Sequence, residues 1–61
     1  MIRIRETGTD WYLCEVRGAL FTTWVSERDK EHALFFPENN ISSWLIALQE
    51  ITRKKLEAVH V

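Results

Sequence analysis

The chain has 61 residues, eight Lys and Arg against nine Asp and Glu, and a net charge of −1. That length holds one core and one domain, 1–61. Apolar residues at 46% exclude a disordered tail, one cysteine excludes an internal disulfide, and no apolar run approaches the roughly eighteen residues of a membrane span.

Ile2 to Glu6 alternates apolar and charged side chains, which predicts a strand over 2–6. The same alternation lacks the continuous apolar stretch of a signal peptide. With Cys14 unpaired, it predicts a cytoplasmic protein. Trp11 to Arg17 and Leu20 to Ser26 are rich in aromatic and β-branched residues and predict strands over 11–17 and 20–26. Gly18 and Ala19 between them form a two-residue turn. A short apolar run over 32–36, closed by Pro37, predicts a fourth strand, and connections this short make the strands an antiparallel meander. After Pro37 the period changes. Ile41, Trp44, Leu45, Leu48, Ile51 and Val59 share one helical stripe, so an amphipathic helix over 41–58 follows, with Asn40 as its N-cap. The fold class is α+β: a three- to four-stranded antiparallel meander with one C-terminal helix packed on one face.

Register sorts the faces. A two-residue turn at Gly18 and Ala19 sets Cys14 opposite Thr23 and Leu13 opposite Trp24. The apolar side then carries Tyr12, Cys14, Val16, Phe21, Thr23 and Val25, and the helix belongs there. Placing Ile2 and Ile4 on that side sets Ile4 opposite Cys14, Arg3 opposite Glu15 and Arg5 opposite Leu13. It leaves a three-residue loop after Thr7. Leu34 and Phe36 join the helix side.

One helix covers one face, so the other face is the candidate site. It would display Arg3, Arg5, Trp11, Leu13, Arg17, Leu20, Trp24 and Phe35, an apolar patch larger than soluble monomers ordinarily leave bare. Three arginines against Glu15 make it mildly basic within an acidic chain. Trp and Arg anchor protein interfaces, and they also stack on bases and meet phosphates. Burial supplies on the order of 90 kcal/mol and chain ordering costs on the order of 90 kcal/mol, so association is expected to contribute to stability. The expected function is a non-enzymatic binding or regulatory module working through this face, by homodimerisation or contact with another protein. Single-stranded DNA or RNA is the alternative.

Nothing in the sequence has the spacing of catalytic or cofactor chemistry. Cys14, His32 and His60 match no zinc-ligand spacing. Gly8 and Gly18 are turn residues rather than a phosphate loop. Glu27, Asp29 and Glu31 read as a charged hairpin tip, and no enzyme, metal or small-molecule cofactor is expected. The run Ala33-Leu34-Phe35-Phe36-Pro37-Glu38 followed by Trp44, Leu45 and Leu48 loosely resembles the single-strand DNA-binding domain of the positive-cofactor-four coactivators. That family dimerises and grips DNA with its sheets, using lysine-rich strands that this chain lacks. The order of three strands and a helix is also similar to the arm-binding domains of phage-type integrases, which place a sheet in the DNA major groove.

Overall fold

The computed structural model describes every residue except 19 and 61. Four strands, β1 (Ile2–Glu6), β2 (Trp11–Val16), β3 (Thr22–Ser26) and β4 (Leu56–His60), form one antiparallel sheet in the order β3-β2-β1-β4, and one helix, α1 (Ile41–Thr52), packs on it. The class is α+β, with the meander β1-β2-β3 as expected and the fourth strand arriving from a different part of the chain.

The expected strand over 32–36 does not form. Glu27–His32 makes 3₁₀ turns, and Phe36 forms a single bridge with Ile2. That bridge is doubly hydrogen-bonded, Ile2 N–H to the Phe36 carbonyl at 3.1 Å and Phe36 N–H to the Ile2 carbonyl at 2.8 Å, while Leu34 N–H reaches the Leu13 carbonyl at 3.0 Å. The apolar run thus plugs the fork where β1 and β2 part, satisfying backbone groups on both. It is a wedge between strands, too short of partners to be one.

The helix ends at Thr52, not at 58. Arg53 adopts the left-handed conformation (φ 59°) and donates its N–H to the Gln49 carbonyl, closing the last turn. Thr52 Oγ1 donates to the Leu48 carbonyl at 2.7 Å and accepts from Lys54 N–H. The chain then reverses into β4, where Leu56 and Ala58 face the core side and Glu57 and Val59 the other, a period of two. The amide of Leu56 is held by Gln49 Oε1 at 2.9 Å, which ties the new strand to the helix. The expected Asn40 cap makes no side-chain hydrogen bond; a 3₁₀ turn over Glu38–Asn40 leads into α1 instead.

Two register changes reassign the faces. β1 and β2 pair with Arg5 opposite Tyr12, one residue from the expected Arg5–Leu13 pairing. The cause is a four-residue connection with Gly8 at φ 82°, closed by Thr9 N–H to the Glu6 carbonyl at 3.1 Å and by the Thr9 hydroxyl to the same oxygen at 2.9 Å. A slip of one residue exchanges the faces of β2 and β3 relative to β1: Ile2 and Ile4 keep the helix side as expected, but Leu13 and Trp24 join them there in place of Tyr12 and Val25. Between β2 and β3, Leu13 does face Trp24, by compensation. Arg17 N–H bonds the Phe21 carbonyl at 3.0 Å, so the connection is one residue longer than expected, and a bulge at Cys14 absorbs the difference. Ala19, half of the expected turn, lies outside the described residues. The bulge turns Cys14 out of the core, and its thiol donates to the His32 carbonyl at 3.3 Å.

The core accordingly lies under α1 and consists of Ile4, Leu13, Phe36, Leu48 and Leu56, with Val16, Trp24, Ile41 and Leu45 packed around it. The other face carries Arg3, Arg5, Tyr12 and Val25. It is covered by Glu27–His32, which packs on β2 and β3, and by Phe35. The polar 3₁₀ segment acts as the missing second layer. Tyr12 beneath it is 2% exposed.

Candidate functional site

The eight residues expected to share one face are divided. Leu13 is fully buried in the core, and Trp24 packs against that core beside it. Trp11 lies on the same side of the sheet and remains half exposed. Arg3 and Arg5 project from the opposite side. Arg3 is 8% exposed, with its guanidinium carbon 4.4 Å from the centre of the Phe35 ring. Its Nε is buried with no hydrogen-bond partner among the described residues. Arg5 pairs with Glu57 at 3.3 Å and lies over the Tyr12 ring. Partial burial opposes its charge, but Glu57 and Tyr12 outweigh that effect and hold its pKa above the ordinary value. Arg17 pairs with Glu15 at 3.0 Å on the hairpin, and Leu20 stands at its tip, 89% exposed. Phe21, expected on the helix side, is exposed there too. Two groups survive: Trp11, Leu13 and Trp24 on the helix side, and Arg3, Arg5 and Phe35 on the other.

What the structure brings together instead is two grooves on either side of α1. The first encloses about 400 Å³. Its floor is Val16, Phe36 and Leu48, and its rim is Leu34, Phe35, Trp44 and Ile51. The four rim side chains are 39%, 40%, 46% and 40% exposed. Trp44 leans on Phe36 with ring centres 5.3 Å apart and planes tilted by 59°, so its indole is held in place rather than free. Trp44 and Ile51 belong to the predicted apolar stripe of the helix. That stripe is wider than the strip of sheet it covers, so only Leu48 is fully buried and the edges of the stripe stay open. The signal was present as an excess of apolar positions on a 12-residue helix.

The second groove, about 470 Å³, lies over β3 and is lined by Trp11, Trp24, Thr22, Thr23, Glu6 and Lys54. The helix packs on the β4 side of the sheet and leaves this quarter open. Lys54 is 3.4 Å from Glu6 and stands 5.9 Å from the Trp24 ring centre. The groove is therefore aromatic with its charges already matched.

Both grooves are lined mainly by aromatic, aliphatic and hydroxyl side chains, with Glu6 and Lys54 the charged residues of the second. No group of three His, Cys, Asp or Glu side chains converges on a metal-sized site among the described residues. The titratable groups with displaced pKa values are Arg5 and Tyr12 beneath the 3₁₀ segment and Glu27 and Lys30 within it. Tyr12 is raised, first by the neighbouring Glu27 carboxylate and then by burial, and Glu27 is lowered, first by Lys30 and then by Tyr12. Lys30 Nζ reaches Glu27 at 2.8 Å. No protein-family model, curated protein or solved structure matches the chain. No helix of the described residues is long and apolar enough to cross a membrane.

Proposed function

We propose that the chain is a small non-enzymatic binding or regulatory module that acts on protein, with a second copy of itself among its partners. The observation that carries this reading is the groove rimmed by Leu34, Phe35, Trp44 and Ile51. It is apolar on every side, is ordered by the Trp44–Phe36 contact and remains open to solvent. A rigid aromatic lining such a groove is a common anchor of a protein contact. A cytoplasmic site of action belongs to the same proposal, and the free Cys14 thiol fits a reducing compartment.

Peptides selected from a random library test the groove. Binders should carry aromatic and aliphatic side chains and should lose affinity for Trp44→Ser/Ile51→Ser while that variant keeps its circular dichroism. A selection returning no binder, or binders indifferent to the double substitution, removes the groove as the site. Sedimentation over a concentration series tests self-association separately.

Single-stranded nucleic acid is the second reading, and it rests on Trp11, Trp24 and Lys54 sharing one groove. The arginines that would meet phosphate favour it less: Arg5 and Arg17 are ion-paired and Arg3 is buried under Phe35. Titration of a labelled single strand at low salt decides it, because binding of this kind weakens steeply as salt is added.

A further inference from the structure

The two edges of the sheet are built differently, and the difference bears on how two copies meet. β4 has a carboxylate at Glu57 and an ionisable ring at His60, and its first amide is engaged by Gln49. Charges and side-chain bonds of this sort are how natural sheets keep an edge from pairing with another chain. β3, Thr22-Thr23-Trp24-Val25-Ser26, has no charge, no proline and no glycine. Its backbone is also presented outward. Arg17 N–H bonds the Phe21 carbonyl, and in an antiparallel ladder hydrogen-bonded residues alternate, so Thr23 and Val25 point their amides at β2. Thr22, Trp24 and Ser26 point theirs away from the sheet.

We propose that β3 is the edge along which two copies of this chain pair, antiparallel and about a twofold axis at Trp24. The proposal rests on the self-association reading above and names its surface. The twofold sets Trp24 opposite Trp24, Thr23 opposite Val25 and Thr22 opposite Ser26. An aromatic pair and β-branched pairs are favourable neighbours across strands, and no like charges meet. The groove beside the strand is self-complementary in charge as well, since Glu6 and Lys54 give each copy one group of either sign. α1 lies toward β4, the far side of the sheet, so it does not obstruct the approach. The product is a continuous eight-stranded sheet in which the Trp11–Trp24 grooves of the two copies adjoin, while the groove at Trp44 remains free for another protein.

Two double variants separate pairing from folding. Thr23→Lys/Val25→Lys sets lysine against lysine at both flanking positions and is expected to raise the dimer dissociation constant at least a hundredfold in sedimentation. Thr23→Lys/Val25→Glu sets lysine against glutamate at the same positions and is expected to remain a dimer that weakens with salt. Equal dimerisation of both variants and the wild type places the interface elsewhere and overturns the edge pairing, while self-association stands. A wild type that stays monomeric at millimolar concentration overturns both. Should either variant fail to fold, amide exchange of the wild type decides: protection of Thr22, Trp24 and Ser26 amides that grows with concentration supports the pairing, and exchange independent of concentration refutes it.

Discussion

The two faces of the sheet are both covered, but by layers of opposite chemistry. Under α1, Ile4, Leu13, Leu48 and Leu56 close on one another with Phe36, and the stabilisation is burial of apolar area. On the other side a 3₁₀ layer with no buried residue of its own covers Arg3, Arg5 and Tyr12, and the contacts are hydrogen bonds, ion pairs and cations over rings. A 61-residue chain has too few apolar residues to build two oily layers, so the second is assembled from polar side chains already tied to one another. The first layer should respond to lost volume and ignore pH and salt; the second should do the reverse.

The largest effect is expected at Leu13, which is fully buried at the centre of the apolar layer. Leu13→Ala should cost about 3 kcal/mol, a large part of what a domain of this size has, and Ile4→Val about 1 kcal/mol. Urea unfolding should give the same losses at neutral and acid pH. A cost at Leu13 that changes with pH breaks the division between the layers.

That division explains what could be read from the sequence and what could not. The three hairpin strands and the helix start at Ile41 follow from local alternation and periodicity, while the pairing of Leu13 with Trp24 agrees with expectation only because the bulge at Cys14 offsets the longer turn. The errors arise where a backbone feature had no residue to announce it. Arg53 takes a left-handed conformation that usually falls to Gly or Asn, so the helix ended unseen and Val59, which fits the helical stripe, lies in β4. Gly8 marks a turn, but nothing in the sequence says whether three or four residues form its loop, and that one residue decides whether Tyr12 or Leu13 joins Ile4 under the helix. The candidate site inherited this slip. Trp11, Leu13 and Trp24 stay together because the bulge compensates the register of their hairpin, but they lie on the helix side, whereas Arg3 and Arg5 keep the side away from the helix.

In the polar layer, Tyr12→Phe should cost about 1 kcal/mol by removing the hydroxyl that meets Glu27. Tyr12 and Glu27 are displaced in opposite directions, which gives the layer a pH signature. Tyr12 is raised above 10.0, so its contribution is complete below that value and is lost as pH rises through the higher folded value. Glu27 is lowered below 4.5, so its contribution is complete above that value and is lost as pH falls through the lower folded one. Denaturation midpoints should therefore decline at both extremes in the wild type. The alkaline decline should shrink in Tyr12→Phe and the acid decline in Glu27→Gln. Unchanged profiles in both variants mean the 3₁₀ layer is held by something other than these groups.

Arg3 tests the comparison from the opposite direction, because it is a polar group paying for burial without full hydrogen bonding. Arg3→Met keeps a long stem against Phe35 and removes the charge, and it should stabilise by up to about 1 kcal/mol. Arg3→Ala removes the stem as well and should destabilise. If methionine destabilises as much as alanine, the guanidinium has a favourable role beyond its contact with the ring.

The smallest effect belongs to Arg5 and Glu57, which cross from β1 to β4 at 3.3 Å with both side chains about a third exposed, 30% and 39%. Water and side-chain entropy discount such a pair, so Glu57→Gln should shift the midpoint only slightly at low ionic strength. At about 1 M salt, where screening acts within roughly 3 Å, the shift should vanish. The same titration leaves Leu13→Ala unmoved relative to wild type, since burial of that side chain owes nothing to charge. A salt-independent cost at Glu57 would instead mean that the carboxylate supports the sheet through Arg5 and Tyr12 as a unit, making β4 part of the polar layer rather than only the outer edge of the apolar one.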